Sequence, residues 1–159
     1  MGVQVDLQMA VANAAQWNVP DIEAIQAWAN AALKQVEPNS SAREMTVRIV
    51  DVDEITQLNE HYRQKTGSTN VLSFPFELPP GVPAEACDGA LGDLVVCAAV
   101  VAQEAETQHK PVEAHWAHMI VHGTLHLLGY DHLTDDEAQQ MESEEIAVLK
   151  GFGYDNPYE

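Results

Sequence analysis

Trp116, Met119, Ile120, Leu127 and Leu128, with Thr124 among them, recur at helical spacing, which predicts a helix over residues 112–128 buried on much of its surface. Pro111 precedes it, and proline suits the first turn of a helix. Near the start of the chain Val3, Val5 and Leu7 alternate with polar residues and predict a strand over 3–7. Pro20-Asp21 opens a helix with Ile22, Ile25, Trp28, Ala29, Ala32 and Leu33 on one face. A second strand is expected at 45–50, and Asp53 is expected to cap a helix reaching residues 62–64. Residues 66–69 read as a polar, glycine-containing loop and 70–77 as a third strand. Pro75 lacks an N–H and so points to a sheet edge. Pro79, Pro80, Gly81 and Pro83 make 78–88 an irregular loop. Residues 90–97 read as the fourth strand, leading into a helix that ends near 109. Thr134-Asp135-Asp136-Glu137 has the form of a capping box and opens a last helix to Lys150, with Gly151 as its stop.

Strands and helices interleave without strict alternation, which predicts an α+β fold with a mixed four-stranded sheet packed on helices. The exposed edge strand would flank the cleft. At 159 residues the chain has the length of one domain, 1–159, with no repeat, low-complexity tract or linker. The longest apolar run, 94–102, is far below the ~20 residues a bilayer requires. Residues 1–15 lack a basic start and contain Asp6, a poor secretory signal. Cys87 and Cys97 are too few and too far apart for a redox pair or a four-cysteine zinc site, so reduced thiols in a cytoplasmic protein are expected.

The chemistry is concentrated in the buried helix and the residues just after it. His122 and His126 stand four apart, one helical turn, about 5–6 Å between Cβ atoms, a spacing that lets two imidazoles grip one cation. Gly129 can take the left-handed conformation that ends a helix, and the chain then turns so that His132 reaches the same ion. Three protein ligands leave a fourth position open, the pattern of catalytic rather than structural zinc. An all-imidazole site also suits nickel, copper or iron. The spacing is that of the metzincin proteases, which carry a glutamate directly after the first histidine as general base. Here that position is Gly123, so peptide hydrolysis by the usual route lacks its base.

Four stretches extend the pattern: His115-Trp116-Ala117-His118-Met119; the run from His122 to His132; Leu58-Asn59, Tyr62-Arg63, Lys65 and Thr69 to Pro75; and Leu91-Gly92-Asp93-Leu94-Val95. Together, across roughly residues 45–158, they resemble the YbeY family of bacterial endoribonucleases of ribosome maturation. Thr66-Gly67-Ser68 departs from the family pattern, where an acidic residue and a proline are more usual, and this bears on the rigidity of that loop. The resemblance implies a zincin-like, protease-like fold with the metal site at the end of a buried helix. It also implies a single-strand-specific metallo-endoribonuclease that matures the 3′ end of small-subunit (16S) ribosomal RNA and serves ribosome quality control. The partners it implies are ribosomal RNA and small-subunit proteins or an assembly GTPase, with no DNA and no membrane.

The expected site therefore has one Zn²⁺ per chain on His122, His126 and His132, with Arg63 and His122 as candidate catalytic residues. The family pattern places an arginine near the metal, where Arg63 would offset charge developing on a phosphate; by default it is a solvated cation at a helix end. His118 could pair with His122 as a ligand, but this leaves no role for His126 and His132, so it reads as a supporting or buried residue. His115 reads as packing or surface, and His61 and His109 have no constellation around them. Asp131 either orients a ligand imidazole or caps the turn, and Tyr130 reads as core. The glutamates between 137 and 145 read as a solvated helix face, or else as a dock for a basic partner.

The charge balance limits how RNA can be held. A net charge of −18 with seven Lys and Arg residues provides no extended track for phosphates. RNA affinity must come from a small patch such as Arg63 and Lys65, or from a partner that presents the strand; the plainer reading is that acidity keeps the protein soluble. Bound zinc would either acidify a water or polarise a phosphoryl oxygen, and the nucleophile could be that water or the RNA 2′-hydroxyl. Two other classes compete: a non-enzymatic ribosome assembly factor with a structural metal, and a metallopeptidase.

Overall fold

Four strands form one sheet in the computed structural model, which describes residues 2–12, 14–39, 42–62, 69–77, 80–83, 89–130 and 134–158. In chain order they are β1 (Val3–Met9), β2 (Arg43–Val50), β3 (Val71–Pro75) and β4 (Ala90–Cys97). Their spatial order is β1-β2-β4-β3. β1 and β4 flank β2 in parallel, while β3 runs antiparallel along β4 and forms an edge. The mixed four-stranded sheet expected from the sequence is thus present. Pro75 closes the edge strand opposite Gly92, where its missing N–H costs no ladder bond.

The helices are α1 (Ile22–Val36), α2 (Val52–Tyr62), α3 (Ala98–Thr107), α4 (Val112–Leu127) and α5 (Asp135–Gly151). Period-two alternation sends Val3, Val5, Met45, Val47, Ile49, Leu94 and Val96 to one face, where they pack on α1 and α4. On the other face a smaller cluster of Val50, Ile55, Leu72, Val95 and Cys97 lies beneath α2 and α3. Both faces are therefore covered at the end of β4, which explains its unbroken buried run from Leu94 to Cys97. α4 is buried around most of its circumference, as the apolar spacing of 112–128 predicts.

Local chemistry sets the helix ends. Asp21 caps α1 by accepting the Ala24 N–H at 2.9 Å, and Thr134 caps α5 by accepting the Glu137 N–H at 3.2 Å. Three expectations need correction. α2 begins at Val52, so Asp51, not Asp53, is its cap, and it accepts the Glu54 N–H at 3.3 Å. Ile22 is 40% exposed at the helix start and stands outside the buried stripe. Gly151 lies within α5, and the chain turns at Gly153 instead. The Gly153 N–H reaches the Lys150 carbonyl at 2.9 Å and the Tyr154 N–H reaches the Leu149 carbonyl at 3.0 Å, which together make a Schellman turn.

The β1 edge is covered from within the chain. The Val3 N–H bonds to Asn30 Oδ1 at 2.6 Å and the Val5 N–H to Gln26 Oε1 at 2.9 Å, while the Gln26 amide returns a bond to the Val3 carbonyl. Two side-chain amides of α1 thereby satisfy edge groups that would otherwise be open to another chain.

Candidate metal centre

α4 carries four histidines on one face. His122 and His126 are one turn apart with ring centroids 5.1 Å from each other, and His118 lies 6.1 Å from His122. The helix ends just past them in a second Schellman turn: the Gly129 N–H meets the His126 carbonyl at 3.0 Å and the Tyr130 N–H meets the Leu125 carbonyl at 3.0 Å. Gly129 has φ +103°, the left-handed conformation expected from the sequence. Tyr130 packs on the core, as expected. His132 and Arg63 lie outside the described residues, as do Lys65, Asp131 and Cys87.

Behind the histidines stands Glu145 of α5, which is wholly buried. One carboxylate oxygen pairs with Nδ1 of His122. The other lies 3.2 Å from Nε2 of His118 and accepts the hydroxyl of Tyr158. Burial by itself would push the Glu145 carboxyl up, but the hydrogen bonds from His118, His122 and Tyr158 and the charge of His122 outweigh it and hold the group at about 2. An uncompensated carboxylate in such a place would cost several kcal/mol, roughly the penalty of burying one unpaired ion. The expectation that the glutamates between 137 and 145 form a solvated face is therefore wrong for Glu145. Met141, Glu145, Val148 and Leu149 make up the buried stripe of α5, so Glu145 holds a core position by helical spacing.

An ionised carboxylate can only accept hydrogen bonds. The proton between His122 and Glu145 therefore sits on Nδ1, which leaves Nε2 as the ring atom that would meet a metal. This is the carboxylate–histidine arrangement that orients metal ligands and raises their basicity. Donor atoms of His118, His122 and Glu145 also lie within 4.8 Å of one another, a group that could itself hold a metal ion. Burial lowers the His118 pKa, partly opposed by its bond to Glu145. His118 is 7% exposed, consistent with its reading as supporting or buried. His115 is also buried, and its Nε2 lies 2.8 Å from Glu104, which in turn takes the Asn70 amide at 3.0 Å.

Gly123, the position of the metzincin base, is buried on the sheet side of α4. A Cβ there would stand 2.7 Å from Cδ2 of Leu94. The residue after the first histidine thus faces the core. A side chain at this position would run into the Leu94 side chain, which would have to shift to admit it.

Residues 11–153 match the family model described as Endoribonuclease YbeY. The chain belongs to the YbeY family. It is 54% identical to the Endoribonuclease YbeY of Methylococcus capsulatus over 156 residues, covering 98% of this chain and 95% of that relative. The solution structure of TM1509 from Thermotoga maritima shares the fold with a TM-score of 0.60 at 22% identity, covering 92% of this chain and 87% of that one. YbeY membership reaches further than the motifs that suggested it, since the match begins at residue 11 rather than near 45. No described helix is long and apolar enough to cross a membrane.

Proposed function

We propose that this chain is a single-strand-specific, metal-dependent endoribonuclease that matures the 3′ end of 16S ribosomal RNA and takes part in ribosome quality control in the cytoplasm, with residues 1–159 acting as one domain. The observation that carries the reading is the His122–His126 pair of a YbeY-family helix, with Glu145 fixing the proton of His122 on Nδ1. This arrangement suits a metal, because neutral imidazole is the form that ligates. His122 through Nε2, His126 and His132 would hold the ion, with Zn²⁺ the choice that fits three imidazoles and an open fourth position. Bound zinc would supply an acidified water or polarise a phosphoryl oxygen.

The remaining roles fall to the chain and its substrate. Arg63 would clamp the scissile phosphate through its planar fork of donors and offset the charge that grows there. Position 123 is closed by Leu94, which supports a reaction without the protease base and weighs against the metallopeptidase. The RNA 2′-hydroxyl is a nucleophile that needs no such glutamate, and a single strand can extend along an edge strand where an A-form duplex cannot. With a net charge of −18, the enzyme would meet its strand on a ribosomal partner, either small-subunit proteins or an assembly GTPase, rather than hold free RNA tightly.

A second reading has its own observation. The group of His118, His122 and Glu145 supports a metal held by that trio, as in the structural site of a non-enzymatic assembly factor. Arg63→Ala separates the two. The nuclease reading expects cleavage of a single-stranded RNA to fall at least ~100-fold with metal content unchanged, the scale of losing one transition-state donor. Unchanged cleavage, or no cleavage by the wild type, would favour the assembly factor.

A further inference from the structure

The last residues of the chain return to the histidines. From the Schellman turn at Gly153 the chain folds back, and the Tyr154 hydroxyl donates to Glu113 in the first turn of α4 at 2.7 Å. Asn156 Oδ1 accepts the Tyr158 N–H at 2.8 Å. The Tyr158 ring stands edge-on to His118, with centroids 5.3 Å apart and planes at 84°. Its hydroxyl lies 3.2 Å from His118 Nε2 and donates to the Glu145 oxygen that His122 does not use. His122, Ala138, Met141, Glu142, Glu145 and Tyr158 line a small cavity between α4, α5 and this tail.

We propose that Glu145 is the positioning residue of the His122 imidazole and that Tyr158 is the clamp that holds Glu145 in that role, so that residues 153–158 belong to the metal centre while supplying no ligand. This rests on the reading of His122 as a ligand. A glutamate has three side-chain torsions to fix, and a carboxylate held through one oxygen alone can swing away from the ring it serves. Here Tyr158 and His118 hold the second oxygen, leaving the first aimed at His122 Nδ1. Carboxylates in this position fix the tautomer and strengthen the ligand, and their loss costs roughly 10- to 100-fold in metal affinity.

The test uses the full chain as wild type, Glu145→Gln, Tyr158→Phe, His122→Ala and His126→Ala. Zinc affinity is measured by chelator competition, and the tautomer of His122 by long-range ¹H–¹⁵N correlation in the metal-free protein. The expected result is a wild-type His122 protonated on Nδ1. Zinc affinity should fall about 10- to 100-fold in Glu145→Gln and by roughly the lower end of that range in Tyr158→Phe. Tyr158→Phe removes one oxygen from a side chain near the surface, so it keeps the test open if Glu145→Gln does not fold. Helix content should be unchanged in Tyr158→Phe, and a purely structural bond would leave tautomer and affinity where they were. Affinity within twofold of wild type in both variants, with binding lost in His122→Ala, would overturn the clamp alone. Affinity untouched by His122→Ala would overturn the underlying ligand reading with it. Binding abolished by Glu145→Gln and retained in His126→Ala would make Glu145 a ligand of the trio, and the clamp would again be wrong.

Discussion

Leu94 of β4 occupies the space that a side chain at Gly123 would need. A Cβ at 123 would lie 2.7 and 2.8 Å from the two Leu94 methyls, and Leu94 is fully buried. Substituting Gly123 by Ala should therefore destabilise the protein, since overpacking a core costs about 1–3 kcal/mol and exceeds the ~1 kcal/mol of helix propensity gained. Gly123→Glu should fail to accumulate as folded protein and should show no peptidase activity. Urea denaturation decides the matter, and a Gly123→Ala variant as stable as wild type would mean that the helix and sheet separate easily there.

Two other glycines predict opposite signs. Gly129 sits at φ +103° in the turn that follows His126, and Gly129→Ala should cost about 1–2 kcal/mol because a Cβ crowds the left-handed region. Gly151 is helical, exposed and open around its Cβ position, so Gly151→Ala should stabilise by roughly 0.5–1 kcal/mol. Thermal melts of the pair would show shifts in opposite directions. Shifts of the same sign would refute this assignment of roles.

Acid should act through Glu145. Its folded pKa is depressed from 4.5 to about 2, so its contribution is present above 4.5 and disappears as pH falls towards 2. A displacement of that size corresponds to on the order of 3 kcal/mol. The stability difference between wild type and Glu145→Gln, from urea titrations at pH 5, 4 and 3, should shrink as pH falls below about 4.5. A difference that stays flat to pH 3 would mean that the buried carboxylate is not held ionised.

The β1 edge predicts a further cost. Removing the Asn30 amide in Asn30→Leu leaves the Val3 N–H without its bond, and Gln26→Leu does the same for Val5. Each should destabilise by about 1–3 kcal/mol, the penalty of an unsatisfied backbone donor. Hydrogen exchange at Val3 and Val5 should rise locally, and unchanged protection there would show that the amides do not guard the edge.

How legible the site was depended on how local its causes are. The His122–His126 spacing, the Gly129 turn, the Pro75 edge and the Thr134 cap each follow from a few consecutive residues, and all four appear where the sequence put them. Glu145 was hidden among the acidic residues of α5, although its helical spacing with Met141, Val148 and Leu149 was a signal that could have been read. Tyr158 gave none, because its partner His118 lies 40 residues earlier in the chain and only the fold-back at Gly153 brings them together. The parallel order β1-β2-β4 was likewise beyond the pattern of apolar residues, which fixes faces but not neighbours.

The central claim is a metal-dependent ribonuclease built on the α4 histidines. Its most direct test measures metal content by inductively coupled plasma mass spectrometry beside cleavage of a single-stranded RNA, for wild type and His126→Ala. The account predicts about one zinc per chain in the wild type, by analogy with three-histidine sites, and loss of metal and cleavage together in the variant. Loss of metal with cleavage unchanged would contradict it, and would place the nuclease activity elsewhere.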